Sequence, residues 1–313
     1  MASPMFRTSL HTGGLVAFCI LLPACAGLGH RLERAAPPEG APDIKQVLRD
    51  LAANDAACGD AGAAIRNFRA AGTFTLECPE VEGIQRFTSG MIAFRTPADL
   101  CVVGRVRLGA IAFRLTCVGR EFLVEFPTER DPEKRYYYQL QGEKFESVPF
   151  SVSPSDVARE MFLPESWSAL KPKEVRITAY DARLQAACGD AEAATIEIGP
   201  TGRPRRRLVV VPLANDSGTP QWVVARSELL DDAGRTIALT TKGDYREVDG
   251  FRFPSRIEVQ FPGENARMTF EMRNIKINTN LVNDSTFAFN WRPSHETQTH
   301  RPDPARDRPG AQP

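Results

Sequence analysis

The amino-acid sequence predicts a mainly β fold with a few helices, built as a long antiparallel meander. Short segments between residues 68 and 274 alternate apolar and polar side chains with period two, as half-buried strands do. Glycine and charged residues separate these segments and supply the turns. Helical patterns follow Asp43 and Ser153 only, so the helices accompany the sheet and do not alternate with its strands.

The first 24 residues have the layout of a secretory signal peptide. Arg7 gives a positively charged start, residues 15–22 are apolar, and small residues follow. This apolar run is far shorter than the roughly 20 residues that cross a bilayer. We therefore expect the segment to direct export and not to span a membrane.

Cys25 directly follows this segment. Residues 22–25, Leu-Pro-Ala-Cys, resemble the bacterial lipobox, in which the cysteine is diacylated and becomes the mature N-terminus. The resemblance implies that Cys25 is lipidated and anchors the chain in the cell envelope. Ala26 stands where an inner-membrane retention signal has Asp, which implies the outer membrane, facing the periplasm. Cleavage of an ordinary signal, giving an unlipidated secreted protein, is the alternative.

Composition divides the rest of the chain into three segments. Residues 25–43 are rich in Ala, Pro and Gly and predict a flexible tether. Residues 44–290 form one β-rich domain, whose first element is a helix with Ile44, Val47, Leu48 and Leu51 on one stripe. Residues 291–313 are rich in Pro, Arg and His and predict a disordered tail.

The balance of charge argues against nucleic acid as a partner. Lys and Arg number 39 and Asp and Glu also number 39, so the chain has no net charge. Phosphate binding needs a basic excess on one face. The densest basic run, residues 203–207, is expected to be a solvated turn entering a strand, with contact to anionic headgroups or an acidic partner as the alternative.

Histidine is confined to the ends of the chain, at His11, His30, His295 and His300. The body therefore has no His general base and lacks the commonest metal ligand. No C-x-x-C spacing occurs, so we expect no metal, no cofactor and no enzymatic activity. A carboxylate site remains open in principle, but the pair Glu121 and Glu125 is better explained as a solvated strand face.

Five cysteines remain after the signal and Cys25, an odd number that leaves at least one unpaired. Cys101 and Cys117 flank an expected hairpin at Gly109. Strand alternation puts Cys117 on the apolar face of Leu100 and Cys101 on the opposite face, which argues against a disulfide. A register shift of one residue would allow it. The five are Cys58, Cys78, Cys101, Cys117 and Cys188.

The expected strands form two series around one helix. The helix has an N-cap at Ser153, Pro154 at its first position, and ends before Pro164. The first series comprises residues 68–76, 86–94, a hairpin over 100–117, 121–126 and 136–138. The second comprises residues 175–180, 194–198, 207–211, 222–229, 236–241, 256–261 and 268–274.

This order of elements resembles a known family. An N-terminal helix, a meander, one interrupting helix, and a second meander closing with a hairpin at residues 249–257 and the segment 274–287 are similar to the LolA/LolB-like lipoprotein carriers and receptors. The run Pro-x-x-Leu to Phe within residues 94–127 is similar as well. The resemblance covers about residues 44–289 and implies an antiparallel, unclosed β-barrel with helices packed in or over its concave face.

The resemblance also implies a function. In that family the apolar concave face receives acyl chains under a lid of helices, so we expect a lipid-anchored envelope protein that binds an acyl chain or a lipoprotein. The lipobox favours the membrane-bound, receptor-like branch over the freely diffusing carrier. The residues expected to line the cavity are Met91, Ile111, Phe113, Phe122, Val124, Phe126, Ile257, Val259, Phe261, Met268, Phe270 and Met272.

Two alternatives stay open at this point. The same side chains would show the same alternation if they packed a filled core, because any half-buried sheet does so. The protein would then be a non-enzymatic lipoprotein scaffold or interaction module of an envelope complex, without a ligand.

Overall fold

The computed structural model describes most of the β-rich domain. The described residues are 37–54, 64–77, 84–96, 99–106, 109–119, 121–132, 135–140, 157, 160–161, 170, 174–181, 185–186, 189–190, 192–200, 202–214 and 220–291. The signal peptide, Cys25, most of the tether, the tail beyond Trp291 and most of the helix expected from Ser153 lie outside these residues. So do Cys58, Cys78 and Cys188. Within the described ranges, no helix has the length and hydrophobicity to cross a membrane.

One α-helix, two short 3₁₀ helices (Pro262–Glu264 and Asp284–Thr286) and fifteen strands are the elements described in full. The helix α1 (Ile44–Asn54) begins after Asp43, whose carboxylate accepts a hydrogen bond from the Lys45 backbone N–H at 3.0 Å. The strands of the N-terminal half are β1 (Asn67–Glu77), β2 (Gln85–Arg95), β3 (Asp99–Arg105), β4 (Ile111–Val118), β5 (Glu121–Glu125) and β6 (Tyr136–Leu140). Those of the C-terminal half are β7 (Val175–Asp181), β8 (Gln185–Ala186), β9 (Gly189–Asp190), β10 (Ala193–Ile198), β11 (Arg206–Ala214), β12 (Pro220–Leu230), β13 (Thr236–Val248), β14 (Phe251–Phe261) and β15 (Ala266–Ile277).

Thirteen of these strands form one antiparallel sheet that does not close. Its order is β6-β5-β4-β3-β2-β1-β15-β14-β13-β12-β11-β10-β7, and β8 and β9 pair separately. Strands β1 and β15 join the two halves of the chain in the middle of the sheet. Strands β6 and β7 stand at its two edges and do not pair with each other. The predicted fold class, a mainly antiparallel, unclosed half-barrel with helical segments, is confirmed.

Both large hydrophobic clusters lie on one face of the sheet, which we call the inner face. Directly opposed residues of antiparallel strands share a face. One such row runs from Leu208 through Ser227, Thr240 and Val259 to Met268, and thereby crosses from one cluster to the other. The opposite side is the outer face.

Helix α1 fills the inner face of the C-terminal strands. Val47 and Leu51 are buried there against β7 and β10–β12, beside Trp222. The Asp50 carboxylate accepts a hydrogen bond from the backbone N–H of Trp222 at 3.2 Å, and the Asn54 side-chain oxygen accepts one from the backbone N–H of Arg252 at 3.0 Å. The helical stripe that the sequence predicts is therefore the surface on which α1 docks.

The hairpin at Gly109 has the register that keeps its two cysteines apart. Leu100 lies opposite Cys117, and Cys101 lies opposite Thr116, so the two sulfur atoms are on different faces. Both are buried free thiols, and burial raises the pKa of each. The disulfide that a shifted register would allow does not form.

A segment without strands, residues 279–291, crosses the outer face of β1–β6, and we call it the C-terminal strap. Phe287 is buried there with Cys101, and the Arg95 guanidinium lies 4.7 Å from its ring centroid. The Arg114 side chain donates a hydrogen bond to the Thr286 carbonyl at 3.1 Å. Trp291, at the expected start of the tail, stacks on Tyr136 of the edge strand at 5.1 Å.

Candidate functional site

An apolar cavity of about 270 Å³ lies on the inner face of the N-terminal half. Strands β1–β5 and β15 form its wall, together with Val157 from the segment between the two halves. Twelve of the fourteen described residues that line it are apolar, and none of these fourteen is charged. They are Phe74, Thr75, Leu76, Gln85, Phe87, Leu100, Val102, Phe113, Leu115, Val124, Phe126, Val157, Met268 and Phe270.

The wall is apolar but is not fully shielded from solvent. Leu76, Phe87, Phe113, Phe126 and Met268 are only half-buried, although each belongs to the hydrophobic cluster of the inner face. Fully packed cores leave few voids larger than a water molecule. The exposed area of these side chains faces a space that the described side chains do not fill.

Period-two alternation places neighbouring side chains of one strand on opposite faces. On β3, Leu100 and Val102 line the cavity, while Cys101 lies on the outer face and packs with Phe287 of the strap. Leu115 and Val124 line it from β4 and β5, whereas their chain neighbours Thr116 and Leu123, which are opposed to each other, lie on the outer face. The wall of the cavity and the platform for the strap are therefore two faces of the same strands.

Aromatic pairs hold the rings of the wall. Phe74 and Phe270 are directly opposed on β1 and β15, with ring centroids 5.2 Å apart. Phe87 meets Phe113 edge to face at 4.8 Å. Such arrangements each add about 0.5–1.5 kcal/mol beyond the area they bury. These four phenylalanine rings of the wall therefore stabilise one another's positions.

Two glycines lie beneath rings of the wall. A Cβ atom at Gly90 would stand 2.1 Å from the Phe74 ring, and one at Gly104 would stand 2.2 Å from the Phe113 ring. Neither glycine lines the cavity itself, because the ring covers it. A strand glycine allows such close approach of a neighbouring group.

Five residues expected to line the cavity do so: Phe113, Val124, Phe126, Met268 and Phe270. Five others lie on the same face in the packed core beside it: Phe122, Ile257, Val259, Phe261 and Met272. Ile257 and Val259 are directly opposite Phe270 and Met268, one strand further from the cavity. Binding of a ligand by any of them stays a prediction.

The placement of Met91 and Ile111 on the inner face was wrong. Both pack in the outer-face cluster with Cys101 and Val103. Met91 is out of phase with Ile92 and Phe94, which point inward. Ile111 changes face because the β3–β4 register shifts between Gly104 and Arg105, a break that the alternation of β4 alone does not reveal.

Sequence reasoning missed much of the wall formed by β1–β3. Phe74, Leu76 and Phe87 belong to segments that were expected to be strands, but their facing depends on the irregular β1–β2 pairing near Gly72. Leu100 is predicted to lie on an apolar face but is not among the residues expected to line the cavity, and neither is Leu115. Alternation gives relative facing within a strand, and only the pairing tells which face lines the cavity.

A buried polar cluster anchors the segment that contributes Val157. The Arg206 guanidinium donates to both carboxylate oxygens of Glu160, at 2.9 and 3.2 Å, and to the Ser227 hydroxyl at 2.8 Å. The Thr240 hydroxyl donates to the Glu160 carbonyl at 3.1 Å. Met161 beside it is fully buried in the inner-face cluster. Glu160 and Met161 are thus held against the sheet, the first by charge and the second by apolar packing.

These contacts also show which arginines of the basic run at residues 203–207 are buried and which are exposed. Arg206 is buried, and Arg207 pairs with Glu197 and Glu228 on the outer face at 3.5 and 3.2 Å. The expectation of a wholly solvated run was wrong at Arg206, because that side chain points to the inner face. Arg203 and Arg205 are exposed.

Comparison with known proteins gives a distant similarity in fold. No protein-family model matches the chain, and no curated protein does. Among solved structures, a DUF1329 family protein from Desulfovibrio piger is 12% identical with a TM-score of 0.47, over 72% of this chain and 90% of that one. A LolA superfamily protein from Nitrosomonas europaea is 11% identical with a TM-score of 0.44, over 80% and 99%.

An outer membrane lipoprotein-sorting protein domain from Vibrio parahaemolyticus is also similar. It is 11% identical with a TM-score of 0.41, over 71% of this chain and 89% of that one. Structures of the LolA superfamily are therefore among those similar to this chain, and this is the family that the sequence resembles. At these identities the likeness concerns fold alone.

The carboxylates considered for catalysis lie away from the cavity. Glu121 and Glu125 are on the outer face of β5, where Tyr138 donates to Glu121 at 2.6 Å and Asn290 donates to Glu125 at 3.0 Å. Glu125 is buried beneath the strap, so the expectation that the pair forms a solvated face was wrong for this residue. Among the described residues, no three His, Cys, Asp or Glu side chains are grouped to hold a metal ion.

Proposed function

We propose that this chain is a lipid-anchored protein of the cell envelope that binds an acyl chain, free or carried by a lipoprotein, in the cavity of its half-barrel. Lipoprotein localisation or lipid transfer is the process it would serve. One observation carries the proposal: a cavity of about 270 Å³ with an apolar, half-buried and uncharged wall. Such a wall stabilises an apolar ligand by removing its surface from water.

The chemistry of the wall favours a hydrocarbon chain. Each buried methylene contributes about 0.8 kcal/mol, and among the described residues that line the cavity only Thr75 and Gln85 are polar. The polar end of the ligand would stay at the opening, where water or a partner satisfies it. The proposed binding forms and breaks no covalent bond, which agrees with the expectation of a non-enzymatic protein.

Cys25 supplies the anchoring part of the proposal. A diacylated Cys25 would hold the protein at the membrane, joined to the domain through the tether that the sequence predicts. The test replaces Cys25 with Ala and compares membrane and soluble fractions of the envelope. We expect the Cys25→Ala variant to leave the membrane fraction; full retention there contradicts the anchor but not the cavity.

Ligand binding is tested on the Cys25→Ala chain purified without detergent. Native mass spectrometry should detect a co-purifying lipid, and a fluorescent fatty acid should bind and be displaced by unlabelled fatty acid. A clean ligand-free mass together with no binding of the fluorescent fatty acid contradicts the proposal. That result favours the alternative, an interaction module of an envelope complex without a ligand.

Two substitutions on β4 localise the site. Leu115→Gln places an unpartnered amide in the cavity wall, at a cost of about 1–3 kcal/mol. We therefore expect fatty acid affinity to fall by about tenfold. Ile111→Gln is the matched control, because Ile111 is equally half-buried on the same strand but faces outward. Equal losses in both variants would show that the fatty acid does not bind in this cavity.

A further inference from the structure

We infer that Gly90 and Gly104 determine which acyl chains the cavity accepts, by setting how far two of its rings extend into it. The inference rests on the proposed function and names positions that do not touch the ligand themselves. The two glycines lie on adjacent strands, β2 and β3, and each lies beneath a phenylalanine of the neighbouring strand.

The contact distances give the first step. A Cβ at Gly90 would be 2.1 Å from Cε2 of Phe74, and a Cβ at Gly104 would be 2.2 Å from Cε1 of Phe113. Carbon atoms in favourable contact are about 3.5–4.0 Å apart. Any side chain larger than hydrogen would therefore move each ring by more than about 1 Å.

The direction of that movement is the second step. The Phe74 ring is packed against Phe270, and the Phe113 ring against Phe87, so neighbouring rings oppose a sideways shift. The glycine backbone blocks movement towards the strand. Because both rings line the cavity, the remaining direction is into the cavity.

The rings can move more easily than the backbone of the sheet. The atoms that an added Cβ would meet at Gly90 and Gly104 belong to the outer ends of side chains. Rings rotate about two torsions, whereas backbone is fixed by the ladder of the sheet. Alanine at either position should therefore leave the sheet intact and narrow the cavity. Gly90 and Gly104 thus act as positioning residues for the wall.

The experiment compares acyl-chain selectivity in matched variants of the Cys25→Ala chain. Saturated fatty acids from octanoate to stearate compete with a bound fluorescent fatty acid. Gly90→Ala and Gly104→Ala should shift the preference to shorter chains, with about fourfold lower affinity for each methylene that no longer fits. Gly243→Ala is the control, since a Cβ there meets nothing within 4 Å.

A compensating substitution separates narrowing from general damage. Phe74→Leu removes the displaced ring, so Gly90→Ala/Phe74→Leu should recover affinity for long chains that Gly90→Ala loses. Phe113→Trp enlarges a ring of the wall while both glycines are kept, and it should reproduce the preference for shorter chains even if an alanine variant folds poorly.

The outcomes are distinct. A preference for shorter chains in Gly90→Ala, Gly104→Ala and Phe113→Trp, with Gly243→Ala unchanged, supports the inference. Identical chain-length profiles in the wild type, both alanine variants and Phe113→Trp overturn it while leaving the proposed function standing. Absence of fatty acid binding by the wild-type cavity overturns the proposed function, and the selectivity role falls with it.

Discussion

Gly72, Gly90 and Gly104 are buried on β1–β3, and none of them has room for a Cβ atom. The group that occupies the space differs between them. At Gly90 and Gly104 the space is taken by a side-chain ring. At Gly72 it is taken by backbone, because a Cβ there would stand 2.3 Å from the carbonyl oxygen of Glu271 on β15. Gly72 therefore lies at the pairing of β1 with β15, which joins the two halves of the sheet.

Alanine at Gly72 should destabilise the fold by about 1–3 kcal/mol or more, as overpacking of a core does. The physical reason is that the hydrogen-bonded ladder fixes the Glu271 carbonyl, so the two strands must separate. Urea unfolding followed by circular dichroism measures the loss. Gly243→Ala serves as the reference and should be within about 1 kcal/mol of the wild type. Equal stability of the two variants would show that β1 and β15 can yield at Gly72.

At the scale of elements, the C-terminal strap joins the central strands to the edge strand β6. It begins beside β1, where the Thr279 N–H donates to Asn67 at 2.8 Å, and ends with Trp291 on Tyr136. Between them, Asp284 pairs with Arg95 at 2.6 Å. Helix α1 fills the inner face of the C-terminal strands, so the two segments cover opposite faces at opposite ends of the sheet.

Loss of the Phe287 ring should release the strap and expose the thiol beneath it. In Phe287→Ala, we expect Cys101 to react with a maleimide several-fold faster, because local opening precedes labelling of a buried group. Cys117, on the inner face, is the internal control and should not change. Peptide mapping by mass spectrometry assigns the label to each cysteine.

Leu281→Ala is the matched strap variant, since Leu281 is 53% exposed and contributes little packing. It should leave the labelling of Cys101 at the wild-type rate. If Cys101 and Cys117 accelerate together in Phe287→Ala, the substitution loosens the whole sheet and the strap is not a separate opening unit.

At the scale of the whole molecule, Val157 and Glu160 are close in the chain and contact different halves of the sheet. Val157 lines the cavity of the N-terminal half, and Glu160 binds Arg206 and Thr240 in the C-terminal half. The Arg206 and Glu160 side chains are 2% and 5% exposed, which makes their ion pair a buried one. Removing one partner of a buried pair costs much more than removing a surface pair, because a charge stays behind without compensation.

Neighbouring arginines allow this contrast to be measured. Arg206→Met should lower the free energy of unfolding by about 3–5 kcal/mol. Arg207→Met removes an outer-face cation that is 40% exposed, and should cost about 1 kcal/mol or less. Urea titrations of both variants provide the comparison. A small and equal effect would mean that the Glu160 contact does not hold the two halves together.

The sequence by itself determined α1 and the thirteen strands of the large sheet, in their order along the chain, but not the short pair β8 and β9. Period-two alternation identified the strands because each is buried on one side, and the stripe through Val47 and Leu51 identified α1 because a helix buries one face. Alternation with an in-phase hairpin also predicted Cys101 and Cys117 on opposite faces, and the β3–β4 register has this arrangement. Five of the expected lining residues reach the cavity because alternation places them on the inner face of their strands.

Only the tertiary structure decided where packing stops and the cavity begins. Ile257 and Phe270 have the same pattern and are directly opposed, yet Phe270 lines the cavity and Ile257 lies in the packed core. The register shift at Gly104 sends Ile111 to the outer face, and the fold brings Glu160 to Arg206, 46 residues away. Alternation within a strand shows which side of the strand is buried. Strand pairing and long-range contacts determine whether that side faces the packed core, the strap or the cavity.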